Sequence, residues 1–401
     1  MSWDPKTMEI LRLAQELIAI PSVSTAPQPR YDEIRRAARV LRAYFDWAGL
    51  HVEWLEPEGA TYPALLVFFP GQEKAPVMWL GHFDVVGPEP DDRQFQPRVE
   101  GDYLWGRGAA DMKTVVATVA VWMKDALQAG PPYPPISVML IGNEEEGETA
   151  PVGTREALAW YQERFGTLPS FFIAGERTEE TGTQPYGAVC TESRGAVRIT
   201  FRLQGRRGHS GLSRAHQDLT QRLFHLQQAI QNLAQDMLTL DTEKGWYSQI
   251  RFPFVSVGEP GLFNITPSEG VMGLEIRPIP QDPLEDFLQA LEHLAREHRV
   301  DIQVDSPAPG TQCDPENPYF QALVQALEDA WGHSPGLCKK LPASSVRFVP
   351  QGRSVIWGQS GLAPHAADER HYIPSILPYY QGLQAYARHL LHLTSPAQEQ
   401  A

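Results

Sequence analysis

The spacing of apolar residues changes from segment to segment along the chain. Ile10, Leu11, Leu13, Ala14, Leu17 and Ile18 recur at helical spacing. Asp4-Pro5 suits the start of that helix, and Pro21 stops it. A second amphipathic helix is predicted from Asp32 to about Ala48, with Gly49 at its end. Val52–Leu55, Ala64–Phe69 and Val77–Leu80 read as strands. The mostly apolar segment Thr114–Leu127 reads as a buried helix. Ile136–Ile141 is a continuous apolar run, as expected of a strand buried on both faces. A helix at 154–165 and a strand at 170–173 follow. Alternation of strand and helix predicts a mostly parallel sheet with helices on both sides, an α/β fold.

Near residue 187 the pattern changes. Ala196–Gln204 alternates strictly, with Val197, Ile199, Phe201 and Leu203 apolar, as a half-exposed antiparallel strand does. A long helix at about 217–239, strands near 249–257 and 271–277, a helix at 283–298 and a short strand at 300–304 complete an α+β unit of two helices on an antiparallel sheet. Asp305–Gly310, with two prolines, reads as a connector. Helix 318–331, strand 354–357 and helix 374–393 then resume the first pattern. The predicted organisation is a domain made of residues 1–186 and 309–401, with residues 187–308 inserted.

Composition narrows the partners. The chain has 34 Lys and Arg against 49 Asp and Glu, a net charge of −15, and no basic run. Nucleic acid and anionic membranes are therefore excluded as expected partners. The longest apolar stretches, such as Val115–Met123, are about half the ~20 residues of a membrane span. Cys190, Cys313 and Cys338 are too few and too scattered for a disulfide framework or a thiolate metal knot. Their odd number, with charges in MSWDPKTMEILRL where a signal peptide has an apolar core, predicts a cytoplasmic protein.

Parallel sheets present reactive residues at the C-terminal ends of their strands. There the sequence offers His82-Phe83-Asp84, then Asp111 ahead of the buried helix, then Glu144-Glu145-Glu146-Gly147. Glu176 follows the next strand, and His365-Ala366-Ala367-Asp368-Glu369 comes later. Any one of these reads equally as a cap or a solvated loop. Together they form an oxygen and nitrogen ligand set that zinc accepts, without cysteine. Residues two apart in an extended chain share a face, so Asp84 is placed to orient His82. A spare carboxylate beside a metal-bound water suits metal-assisted hydrolysis. The other histidines, His371 among them, read as ordinary.

These segments, in this order and together with Gly-Arg-Gly-Ala-Ala-Asp-Met-Lys at 106–113, Gly-Glu-Arg at 175–177 and Gly-His-Ser at 208–210, resemble the M20 metallopeptidase and deacylase family. The resemblance spans nearly the whole chain. It implies a zinc-peptidase-like catalytic domain with an inserted lid and dimerisation domain. It also implies two zinc ions, with cobalt or manganese as substitutes. His82 and Glu176 would hold one ion and Glu146 and His365 the other, with Asp111 bridging them through a loop whose Asp111–Met112 bond is cis. Glu145 would be the general base. Counting from the preceding strand gives this register; counting back from Gly147 would instead make Glu144 the base and Glu145 the ligand. His209 would polarise the scissile carbonyl in a partner subunit of a homodimer. Asn264, Arg277 and Arg347 would contact substrate. The Trp that usually follows the first His motif is absent, and Asp91-Asp92-Arg93-Gln94-Phe95 stands in its place. Ser345 stands where relatives usually carry Asp.

The implied activity is hydrolysis of an amide or peptide bond next to a free carboxylate, with Glu176 favouring an N-acyl-amino-acid deacylase or a carboxypeptidase. A di- or tripeptidase is the alternative within the family, and a non-catalytic binding protein on the same fold is the alternative outside it.

Overall fold

The computed structural model describes residues 3–25, 27–56, 62–144, 153–212, 218–241, 243 and 245–394. By contacts the chain divides into two compact units. One comprises Met1–Thr191, Gln312–Lys340 and Ser344–Ala401, and the other Glu192–Thr311 with Leu341–Ala343.

The first unit is built on a nine-stranded sheet. Its centre is four parallel strands in the order Ile136–Ile141, Val77–His82, Phe171–Ala174, Ser354–Trp357. All four are buried along their length, which accounts for their predominantly apolar sequences. Antiparallel strands flank this centre. Ala64–Phe68 and His51–Leu55 lie on one side, and Val189–Ser193, paired in turn with Leu337–Lys340, lies on the other.

Alternate side chains of the central strands enter two cores. Val77, Trp79, Val138, Leu140, Phe171, Ile173, Val355 and Trp357 pack with helices Pro5–Ile18, Tyr31–Ala48, Thr114–Gln128, Pro318–Trp331 and Ile376–Thr394. Met78, Leu80, Met139, Ile141, Phe172, Ala174 and Ile356 pack with helix Thr154–Phe165 on the opposite face. Burial on both sides explains why the sheet shows helices rather than solvent on each face. Asp4 caps the first helix by accepting hydrogen bonds from the Lys6 and Thr7 amides.

The second unit is a five-stranded antiparallel sheet. Glu269–Arg277 and Ala196–Gln204 are central, Asp301–Ala308 forms one edge, and Gln249–Arg251 and Val255–Val257 form the other. Val197, Ile199, Phe201 and Leu203 point into a core shared with helices Leu219–Met237 and Leu284–Glu297.

Two expectations are corrected, and one sheet had no counterpart in the sequence pattern. The strand expected to stop at 304 runs on to Ala308 with a register shift between Asp305 and Ala308. Pro307 is tolerated there because an edge strand has a side with no ladder bonds to donate. Arg98–Glu100, Tyr103–Trp105, Gly361–Leu362 and Arg370–Tyr372 form a separate four-stranded sheet whose two- and three-residue strands are too short to show a period. Cys190 and Cys338, 148 residues apart in sequence, form a disulfide between neighbouring strands. Cys313 is free and buried.

The short sheet also buries a histidine. His371 is 1% exposed, and its Nε2 lies 3.4 Å from Ser375 Oγ. Burial pushes its pKa down to about 3. Between about pH 6.5 and 3 the native protein therefore binds fewer protons than the unfolded chain. This contribution to stability is complete above pH 6.5 and is lost as pH falls through that window. Metal-free His371→Leu protein is expected to show a shallower acid limb of stability in denaturant titrations. An unchanged limb would show that His371 carries none of the acid sensitivity.

Candidate metal centre and active site

The parallel register brings the candidate residues to one edge of the first unit's sheet. His82 ends its strand opposite Ile141, and Leu80 lies opposite Ala174, two residues before Glu176. His82 is 2% exposed. Its Nδ1 lies 3.1 Å from the Asp84 carbonyl oxygen and 3.4 Å from Asp84 Oδ1, so the backbone carbonyl is the nearer orienting acceptor. With Nδ1 turned to that carbonyl, Nε2 is the ring nitrogen that faces Asp111 Oδ1, at 3.4 Å. The second oxygen of the same carboxylate, Asp111 Oδ2, lies 3.6 Å from His365 Nε2. The Asp111–Met112 bond is cis.

Asp84 is fully buried. Its Oδ2 accepts from Ser24 Oγ at 2.6 Å and its Oδ1 from the Glu144 amide at 3.1 Å, which ties the end of strand Ile136–Ile141 to the His82 strand. The Glu144 carboxylate pairs with Arg347 Nη1 at 2.9 Å, and both side chains are largely buried. Lys340, 4% exposed, donates from Nζ to the Arg177 carbonyl beside Glu176. Glu145 and Glu146 lie outside the described residues, so the sequence expectations for them have no geometry here.

The electrostatics are those of a site short of positive charge. Burial and the neighbouring Glu144 charge raise the Glu176 carboxyl to about 8. His82 is pushed down by burial but held well above its usual value by Asp111 and Asp84. Burial raises Asp111, yet hydrogen bonds from His365 and His82 take it well below the carboxylate range.

The imidazole and carboxylate donors present are of the kind a metal takes. Two ligands about 2.0–2.1 Å from a tetrahedral zinc are about 3.3 Å apart, close to the two imidazole–carboxylate separations found. Among the described residues no group of three or more His, Cys, Asp or Glu side chains is gathered tightly enough to hold an ion.

Two glycines set the site's spacing. A Cβ on Gly358 would overlap the Glu176 carbonyl, and one on Gly175 would overlap the Trp79 ring. Gly358→Ala is expected to cost about 1–3 kcal/mol, read by denaturant unfolding of metal-free protein, and to weaken metal uptake by shifting Glu176. Wild-type stability and uptake would show that the strands move apart without cost.

In the second unit, Gly208–His209 pairs with Ile265–Thr266, and the Ser210 amide donates to the Asn264 carbonyl at 3.0 Å. The ribbon thus brings His209 and Asn264 together, with His209 exposed. Arg277 is held by Glu275 at 2.6 Å. Three residues of the first unit, Gln94, Arg107 and Glu369, received no role from the sequence. All three sit in quoted motifs, but their task depends on loops that only the fold brings together.

Comparisons with known proteins bear on the family and the fold. Residues 78–389 match the profile of peptidase family M20/M25/M40. A succinyl-diaminopimelate desuccinylase of Gluconobacter oxydans is 29% identical over 307 residues, 75% of this chain and 77% of that protein. One of Afipia carboxidovorans is 27% identical over 376 residues, 90% of this chain and 93% of that protein. An M20 family metallo-carboxypeptidase from Sulfolobus solfataricus has a similar fold, with a TM-score of 0.72 over 95% of this chain and 99% of that one at 16% identity. Human carnosine dipeptidase 1 superposes with a TM-score of 0.69 over 97% of both chains at 17% identity. The chain belongs to peptidase family M20/M25/M40 and is a metal-dependent amidohydrolase.

Proposed function

We propose that this protein is a zinc-dependent hydrolase that cleaves an amide or peptide bond next to a free carboxylate, as an N-acyl-amino-acid deacylase or a carboxypeptidase. The observation that carries the reading is the Asp111 carboxylate set between His82 and His365, with one oxygen facing each imidazole. In this reading His82 and Glu176 would hold one ion, His365 and Glu146 a second, and Asp111 would be shared by both. Bound metal supplies a nucleophile at neutral pH by acidifying water toward about 7, and a Lewis acid for the scissile carbonyl.

The protein's own groups do the rest. The Asp84 carbonyl keeps the proton on His82 Nδ1, so that Nε2 is free to ligate. Glu145 takes the proton from the attacking water and returns it to the leaving amine. His209 and Asn264, side by side on their ribbon, support the developing oxyanion in a partner subunit of a homodimer formed through the inserted unit. Arg277 and Arg347 supply guanidinium groups suited to a substrate carboxylate. Relatives named as desuccinylases favour a deacylase over a peptidase.

Among the described residues no helix is long and apolar enough to cross a membrane. The reading places the protein in the cytoplasm. The Cys190–Cys338 pair tests that placement, since thiols trapped by alkylation in lysates are expected there.

The test of function joins elemental analysis to a substrate panel of N-succinyl, N-acetyl and dipeptide compounds, with and without chelator. Two zinc equivalents per chain and chelator-sensitive release of a free amino acid from the acyl compounds are expected. Faster turnover of dipeptides would select the peptidase alternative. No metal and no turnover after zinc is restored would select the binding protein.

A further inference from the structure

We infer that Gln94, Arg107 and Glu369 act as a positioning clamp that holds the two loops bearing Asp111 and His365 in register for metal binding. The inference rests on the metal reading above and adds to it residues that touch no metal themselves.

The His365 loop is conformationally costly. Ala363 and His365 have φ of 52° and 66°, in the left-handed region that side chains with a Cβ disfavour. Something must hold them there, and His365 itself is about half exposed, so packing does little. Hydrogen bonds supply the restraint. Arg107 Nη2 donates to the His365 carbonyl at 3.0 Å, and Gln94 Nε2 donates to the next carbonyl, that of Ala366, at 2.9 Å. Gln94 Oε1 accepts from the Glu89 amide at 2.6 Å and from Arg107 Nη2 at 3.3 Å, which fixes the amide's orientation.

Glu369 carries the restraint to the other loop. Its Oε2 pairs with Arg107 Nη1 at 2.6 Å, and both side chains are 1% exposed. Its Oε1 accepts three backbone amides, from Gly108, Ala110 and Asp111, at 3.0, 3.0 and 3.1 Å. One carboxylate therefore fixes the backbone of the bridging ligand Asp111, while the arginine it pairs with fixes the backbone of His365. A buried ion pair is weak evidence for stability but can fix geometry; here the Glu369 carboxylate is fully used, while Arg107 Nε has no partner among the described residues. Groups that orient metal ligands typically change metal affinity 10–100-fold when mutated.

The three residues have separable effects. The side-chain donor of Gln94 goes to the His365 loop alone, whereas Glu369 fixes the Asp111 backbone directly and, through Arg107, the His365 loop. Metal-free wild-type, Gln94→Leu and Glu369→Gln proteins would be titrated with Co2+ against a chromophoric competing chelator, recording the visible cobalt spectrum and the thermal midpoint of each metal-free protein. Gln94→Leu is expected to weaken one of the two equivalents about tenfold and change its cobalt band. The other equivalent should stay within about threefold, and the metal-free midpoint should hold. Glu369→Gln, if folded, is expected to weaken both equivalents about 10–100-fold. Because Gln94 lies at the partly buried rim, its variant keeps the test open should Glu369→Gln fail to fold. Wild-type affinities and spectrum in Gln94→Leu would overturn the clamp while leaving the metal reading intact. A wild-type protein that takes up no cobalt would overturn the metal reading, and the clamp with it.

Discussion

Asp111→Asn is expected to lower kcat/KM at least about a thousandfold and to reduce bound metal from two equivalents to one or fewer. The substitution keeps size and removes charge. Asp111 is the one described side chain that faces both His82 and His365, at 3.4 and 3.6 Å. An amide offers one oxygen where the carboxylate offers two, and its nitrogen would point a donor at one of the two imidazoles. Losing several kcal/mol of metal-based transition-state stabilisation, about 4 kcal/mol, corresponds to that thousandfold change. The denaturant midpoint of the metal-free variant, read beside turnover, separates a lost site from a lost fold. Turnover within tenfold of wild type would show that Asp111 is no bridge.

Glu145→Ala is expected to retain both metal equivalents and lose about 10²–10⁴-fold in kcat, while Glu144→Gln stays within about tenfold of wild type. The contrast follows from Glu144. Its amide is bound by Asp84 and its carboxylate by Arg347, so it is already employed in holding the loop. A general base needs an oxygen available to water. Strand Ile136–Ile141 anchors the count and leaves Glu145 as the next carboxylate. The opposite pattern, with Glu144→Gln inactive and Glu145→Ala depleted of metal, would move the base to Glu144 and the ligand to Glu145. Elemental analysis beside steady-state kinetics on the best panel substrate distinguishes the two.

Both predictions depend on residues the sequence already presented as candidates. The central strands were legible because burial on two faces favours apolar side chains throughout, so Ile136–Ile141 is apolar but for Ser137 and Ser354–Trp357 is apolar after its first residue. The half-exposed strand Ala196–Gln204 was legible for the converse reason, since one wet face imposes alternation. Ligand-type residues at the ends of such strands were legible because parallel topology places them there.

What the sequence by itself determined is therefore local: the period of each element, its buried face, and the chemistry offered at its end. Tertiary structure alone decided which distant groups meet. Cys190 joins Cys338, Glu144 finds Arg347, and Glu369 closes on Arg107 and three amides of another loop. The short strands around Tyr103–Trp105 and Arg370–Tyr372 likewise exist only through each other. The physical reason is common to all of these. A period is set by backbone geometry over a few residues, whereas a salt bridge, a disulfide or a two-residue ladder depends on a partner whose position is fixed by the packing of the whole core.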